Sequence, residues 1–248
     1  MSNTKQVNSI LRAADILRHI SDGAERITDL TLQTGLSKST VHRLLMSLKE
    51  SGLVQQDPSS RRHYLGPLIH QLVSNPYVAH QSLIAASVGE MQRLVRESRE
   101  TVTLSIPVGT ERICLEEIES PESLKYTAGK GSMAPLYAGS AGKVLLAEMS
   151  ESELQAALKA MRFIQLQENT PMDKVTLLEQ INKVRERGYA QSISERIADC
   201  ASISAKVSNY ATPVALSILG PLTRFGPKMT ELLDALRESA DRISKDLL

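Results

Sequence analysis

Between Thr31 and Leu45 the chain reads TLQTGLSKSTVHRLL, and two helical patterns meet there with almost nothing between them. Gly35 closes the first, because a residue that enters left-handed backbone freely is the common stop of a helix. Ser37 opens the second as an N-cap whose hydroxyl can accept a first-turn amide, with Leu36 and Val41 spaced as a hydrophobic staple. Only Leu36 separates stop from cap. Upstream, VNSILRAADILRHI sets Val7, Ile10, Leu11, Ala14, Leu17 and Ile20 at three- and four-residue steps, one face of an amphipathic helix ended by Asp22-Gly23. The middle helix fits ITDLTLQTG, with Ile27, Leu30 and Leu32 apolar and Thr28 as its N-cap. The third runs from about Ser37 to Ser51 and stops at Gly52. After it, LVQQDPSSRRHYLG places two short apolar-alternating arms around the turn residues Asp57-Pro58-Ser59-Ser60, a β-hairpin. Three helices and a hairpin in this order spell a winged helix-turn-helix over residues 1–66.

On a wheel of the third helix Val41, Leu44, Leu45 and Leu48 form one stripe, and Ser39, Arg43 and Met46 centre the opposite side, flanked by His42 and Ser47. A helix that lies in a DNA groove needs donors for base edges and phosphates in its first turns, where its own amides also favour phosphate. Ser37, Lys38, Ser39, Thr40 and Arg43 meet that need, and Arg61, Arg62 and His63 sit at the tip and return strand of the wing. The expected DNA-binding set is Ser37, Lys38, Ser39, Thr40, His42, Arg43, Ser47, Arg61 and Arg62. A nucleophile and base built from Ser37 or Ser39 with Lys38 or His42 fails on direction, since adjacent helical residues diverge and no strained elbow or orienting carboxylate is nearby. Charge agrees with a basic end: residues 1–66 hold nine Lys/Arg against six Asp/Glu, while the rest holds twenty against twenty-two, out of totals of 29 and 28.

The 248 residues suffice for two cores. Pro67 opens a further helical stretch, LIHQLVS, that Asn75-Pro76 breaks, so a linker helix is expected over 67–76 and a second domain over 77–248. In that domain YVAHQSLIAASVGEMQRLVRES reads as helix, and TVTLSIPVGTERICLEEIE as a hairpin turning at Gly109-Thr110. GKGSMAPLYAGSAGKVLLAEM leads into another helix. A helix over Asp173–Arg187, strands near 189–194, 201–207 and 214–219, and a final helix from about Pro227 complete an α+β arrangement. Hydrophobic residues at 42% and charged at 23% are ordinary for a soluble chain, and no apolar run approaches the roughly 18 residues of a membrane span. With a polar start and no signal-peptide pattern, a cytoplasmic location is expected. Cys114 and Cys200, the two cysteines, suggest reduced thiols.

The stretches VNSILRAADILRHI, ITDLTLQTGLSKSTVHRLLMSLKESGLV, YLG, GSAGKVLLA, RERGYA and VALSILGP together resemble the IclR-type bacterial transcriptional regulators, in order and at that family's spacings. The resemblance implies a winged helix-turn-helix, a linker helix, and a C-terminal ligand-binding domain built on a curved antiparallel sheet with helices. It also implies dimers or tetramers on double-stranded operator DNA, acting as a repressor or an activator whose occupancy a small-molecule effector alters, and no enzyme activity.

AGSAGK is not a phosphate-binding P-loop, because Tyr137 stands where its first Gly belongs and Val144 replaces Ser/Thr. Gly139, Ser140 and Ala141 open a helix, where amides and dipole favour a carboxylate, or else they serve close packing; the resemblance favours effector binding. It also marks Ser192, Ser202, Ser217 and Leu219 as pocket positions. Here the chain departs from the family pattern: Ser192 replaces an acidic residue, Ser202 a Cys, Asp199 a Gly, Lys206 a Pro, and Leu219 a residue that is often polar. The serines either face solvent or line a pocket for a hydroxylated acid such as a sugar acid. Nothing in the sequence calls for a cofactor or metal: His19, His70 and His80 lack partners at ligand spacing. Glu116, Glu117 and Glu119 read as a solvated strand edge. Two other classes stay open on the residues alone, an enzyme using the Gly-rich loop with Glu116 and Glu117, and a sensor that acts through protein partners.

Overall fold

The computed structural model describes residues 8–73 and 76–248, which divide into two compact units between Ala79 and His80. The first holds α1 (Asn8–Ser21), α2 (Ile27–Thr34), α3 (Lys38–Glu50), β1 (Val54–Gln56), β2 (His63–Leu65), α4 (Pro67–Val73) and α5 (Pro76–Ala79). Its core is small: Ile16, Ile20, Leu30, Val41, Leu45, Leu48 and Val54 are buried, with Leu36 and Leu44 packed against them. Gly35 takes φ 66° and its amide reaches the Thr31 carbonyl at 3.1 Å. Two residues on, the Ser37 hydroxyl accepts the Thr40 amide at 3.3 Å, so the turn between α2 and α3 is fixed from both sides. β1 and β2 pair antiparallel with Val54 opposite Leu65, which forms the wing.

Two expectations fail in this unit. The face of α1 turned to the core is Ala13, Ile16, Leu17 and Ile20, while Ile10 and Leu11 stay 66% and 53% exposed. The helix carries more apolar residues than one small core can cover, so periodicity alone selects the wrong neighbours. Thr28 lies inside α2, whose N-cap is Arg26 with no side-chain bond. Val7 and Asn75, expected on the α1 face and at the helix break, lie outside the described residues; Pro76 begins α5.

The second unit comprises α6 (Gln81–Ser98), β3 (Thr101–Val108), β4 (Glu111–Ile118), β5 (Met133–Pro135), α7 (Ser140–Ala147), α8 (Glu151–Ala160), α9 (Lys174–Arg187), β6 (Tyr189–Ile193), β7 (Cys200–Val207), β8 (Val214–Pro221), α10 (Leu222–Phe225) and α11 (Glu231–Asp246). Its six strands form one curved antiparallel sheet in the order β5-β4-β3-β8-β7-β6. One face carries Val102, Leu104, Ile106, Ile203, Val207, Leu216 and Ile218 against α6 and α11. The other carries α7, with α8 and α9 behind it around Val144, Leu145, Leu154, Leu158, Leu177 and Ile181. Because alternate strand residues point to opposite faces, Thr103, Ser105, Ser202, Ser204 and Ser217 lie on the α7 side.

The helix from Tyr77 is broken at His80, which precedes α6, and α8 and β5 were not expected at all. The last helix begins at Glu231 instead of Pro227, because Pro227 lies in a single 3-10 turn over 226–228. α8 has a full capping box, Ser150 with Glu153, that sequence reasoning passed over.

Gly142 explains the second glycine of AGSAGK: a Cβ there would overlap the Leu136 carbonyl, so α7 rests backbone against backbone on the preceding loop. Gly142→Ala is expected to cost about 1–3 kcal/mol of stability, read as a lower urea midpoint of the full-length protein by circular dichroism.

Candidate functional site

In the first unit α3 and the wing bound an open groove lined by Arg26, Lys38, His42, Met46, Lys49 and Arg61, together with Gln56 and Ser60. Lys38, His42 and Met46 recur every fourth residue, and Ser39, Arg43 and Ser47 form the next stripe on the exposed face. Ser37 is both cap and hub: its hydroxyl lies 3.0 Å from that of Ser39 and 2.9 Å from that of Thr40. Thr40 is half-buried; Ser37, Lys38, Ser39, His42, Arg43, Ser47, Arg61 and Arg62 are exposed. The groove also includes Arg26, Gln56 and Lys49, which sequence reasoning missed, although Lys49 stands seven residues after His42 and helical period alone would have found it.

The wing is held by its own acid. Asp57 accepts the amides of Ser59 and Ser60 at 3.1 and 3.2 Å and both hydroxyls, and these bonds bring its carboxyl from the ordinary 3.8 down to about 2. Arg62 donates to Glu25 at 2.8 Å, so one of the expected wing cations already has an acidic partner within the domain. His63, expected at the surface of the wing, is buried: its amide donates to the Glu25 carbonyl at 2.8 Å, and burial holds its pKa below the usual histidine value. Of the expected basic cluster Arg61 and His63 line the groove and Arg62 does not.

In the second unit Gly139, Ser140, Ala141, Ser192, Ser202, Ser217 and Leu219 line one cavity. Register puts them there. Thr103 faces Ser217, which faces Ser204; one row along, Thr101 faces Leu219, which faces Ser202, which faces Ser192. Hydroxyls thus cross the sheet in line, and Ser140 at the start of α7 completes a chain: its Oγ is 2.7 Å from both Ser202 and Ser204, and Ser204 is 2.7 Å from Ser217. Asp199 takes φ 54°, the backbone region expected of the glycine it replaces.

A carboxylate stands at the first turn of α7, and it is the chain's own. Glu195 accepts the Gly139 amide at 2.9 Å and pairs with Lys143, both side chains being buried. Gly139 itself holds φ 98°. The loop carrying Glu195 is tied down by Thr170, whose hydroxyl donates to the Glu195 carbonyl at 2.7 Å, and by Tyr126, which donates to the Ala198 carbonyl at 2.7 Å. Sequence reasoning missed Thr103, Arg112, Glu195, Arg196, Ile197 and Cys200 on this wall. Burial raises the thiol of Cys200 to about 11 and that of Cys114 to about 12, so neither is a thiolate. Glu116 and Glu117 are engaged, not a bare edge: Glu116 pairs with Lys130, and Glu117 accepts the amides of Ala128 and Gly129. Among the described residues no cluster suits a metal ion, and no helix is long and apolar enough to cross a membrane.

Two family models match the chain: the IclR helix-turn-helix domain over residues 9–58 and the bacterial transcriptional regulator IclR C-terminal domain over 75–245. The HTH-type transcriptional regulator KipR of Bacillus subtilis is 31% identical, covering 89% of each chain. The HTH-type transcriptional repressor AllR of Escherichia coli is 29% identical over 89% of this chain and 82% of its own length. An IclR homologue from Microbacterium hydrocarbonoxydans, solved in complex with 4-hydroxybenzoate, shares the fold at a TM-score of 0.62 and 21% identity, covering 96% of this chain and 98% of its own.

At the wing turn the depressed pKa of Asp57 favours the ordered turn wherever the carboxylate is ionised. That order is fully present above the ordinary value near 3.8 and is lost as pH falls through about 2. The amide resonances of Ser59 and Ser60 are expected to hold constant above pH 4 and to titrate with a midpoint near 2, and Asp57→Asn should abolish that titration.

Proposed function

The chain belongs to the IclR family of bacterial transcriptional regulators, and we propose that it seats α3 in the major groove of operator DNA with the wing on the adjacent backbone, and that a small carboxylate in the second unit alters that binding. The groove beside α3 carries the DNA half of this reading: Arg26, Lys38, Lys49 and Arg61 line it with no acidic residue among them. Ser39, Thr40 and Arg43 are the base-reading candidates, and Ser37, Lys38, His42, Ser47, Arg61 and Arg62 the backbone contacts. The pairing of Arg62 with Glu25 gives that arginine the lesser share. A repressor role follows the name of the Escherichia coli relative, and a bacterial DNA-binding regulator acts in the cytoplasm. Exposed Ile10 and Leu11 on α1 support a homodimer or tetramer, with 67–76 as the linker between domains 1–66 and 77–248.

The effector half rests on the cavity at the start of α7. The Ser140 and Ala141 amides stand in the first helical turn, where no intrahelical acceptor exists, and suit a carboxylate. Ser192, Ser202 and Ser217 suit the hydroxyls of a hydroxy or sugar acid, and Leu219 packs its carbon chain. The relative solved with 4-hydroxybenzoate supports a small acid of some kind at such a domain.

Mobility-shift titration on the region upstream of the chain's own gene tests the DNA half. Arg43→Ala should weaken specific binding by about 1–3 kcal/mol, and log affinity should fall against log salt with a slope of about −0.9 per neutralised phosphate. Binding that ignores both the substitution and salt would overturn it. A panel of hydroxy and sugar acids should contain a compound that raises Tm, and Ser217→Leu should remove that rise; stabilisation by apolar aromatics alone would sink the hydroxylated-acid assignment.

A further inference from the structure

The wall of the same cavity holds two guanidinium groups, Arg112 and Arg196, that have no ion-pair partner among the described residues. Arg112, on β4 opposite Pro107, is 93% buried, its Nη1 donates to Ser105 at 3.1 Å, and its Nε has no partner. Arg196, on the loop before β7, is half-buried beside it. The acids in the neighbourhood make their contacts elsewhere: Glu195 with Lys143 and the Gly139 amide, Glu116 with Lys130, Glu100 with Arg224, and Glu117 with the Ala128 and Gly129 amides, from where its charge reaches Arg112 through space without a contact. Among the described residues no carboxylate lies within 4 Å of Arg112 or Arg196. Buried polar groups in folded proteins are almost always partnered, and a buried cation without an anion is more costly still. Burial and the neighbouring Arg196 bring the Arg112 guanidinium down to about 10, which leaves it charged at neutral pH.

We propose that the effector is a small dianion, a short-chain dicarboxylate or an acid with a second anionic group, one group held at the first turn of α7 and the other by Arg112 and Arg196. This deepens the effector reading above and rests on it. The cavity has two separate places that hold an anion, the start of α7 and the arginine pair, and these ask for two anionic groups in one occupant; the planar fork of Arg112 matches a carboxylate bidentately. The cavity holds about 420 Å³ of empty space, part of it open solvent. Diacids of two to four carbons are the shortest chains that carry two such groups.

Calorimetric titration of the full-length protein with succinate and malate, against the monoacids butyrate and lactate, tests the assignment. The diacids are expected to bind at least tenfold more tightly than the monoacids. Arg112→Met should erase that margin by bringing diacid affinity down toward the monoacid level, and Arg112→Lys should keep part of it. The ligand-free Arg112→Met protein should melt no lower than wild type, because the substitution removes an unpartnered charge. Should that variant fail to fold, Arg196→Gln, at a half-exposed position, carries the same test. Equal binding of diacids and monoacids by wild type, or an equal loss of both in Arg112→Met, overturns the dianion while leaving a monoacid effector standing. Binding of neither class overturns the effector reading and the dianion with it.

Discussion

Both faces of the six-stranded sheet are covered, one by α6 and α11 and the other by α7, and that enclosure sets the terms for everything in the second unit. At the buried positions of β3, β7 and β8 a strand residue then has no solvent side to which a polar group can be sent, so a hydroxyl there needs a partner inside or a place on a cavity wall. The aliphatic positions fill the α6 side closely. On the α7 side Thr103, Ser202, Ser204 and Ser217 are too small to fill the gap beneath a helix start, and what they leave is a cavity with hydrogen-bonding walls. Cavity and core are two products of one alternating pattern.

The enclosure also accounts for the ion pair at the start of α7. Helix starts leave amides exposed, and a buried start needs an acceptor. Glu195 supplies it from the loop before β7, and Lys143, four residues past the Gly139 cap, supplies the counter-charge. Such a pair adds little net stability after desolvation, but removing one partner leaves a buried charge worth roughly 3–5 kcal/mol of penalty. The pair therefore fixes geometry: it sets where the loop of Arg196 sits against the sheet. The close approach at Gly142 fixes the same helix from its other side.

Local chemistry was legible in the sequence and distant partnership was not. Gly35, Ser37, Gly52 and the Asp57 turn act within a few residues of themselves, and the structure has them as read. The seven cavity positions were reachable through the family resemblance together with strand alternation. Ile10 and Leu11 misled because hydrophobic spacing says that a face is apolar, not which of two apolar faces the domain's own core will take. His63 misled because its burial depends on the Glu25 carbonyl, 38 residues away. Arg112 and Glu195 gave no signal at all: a single arginine in ERICLEE or a glutamate in ISERIAD is ordinary, and each acquires meaning only from the strand or helix start placed beside it by the fold.

The serine chain from Ser202 through Ser140 and Ser204 to Ser217 has four hydroxyl protons and three links. One proton is left over, and in the two arrangements that run in a single direction it points outward at one end or the other. Rotating the four C–O bonds together reverses the whole chain, so a donor at Ser202 with an acceptor at Ser217 becomes an acceptor at Ser202 with a donor at Ser217, with no heavy atom displaced. Both end residues border the cavity. The wall therefore has no fixed polarity of its own: it takes the sense of whichever molecule enters, and that molecule's hydrogen-bonding pattern is recorded in the direction of the chain beneath α7.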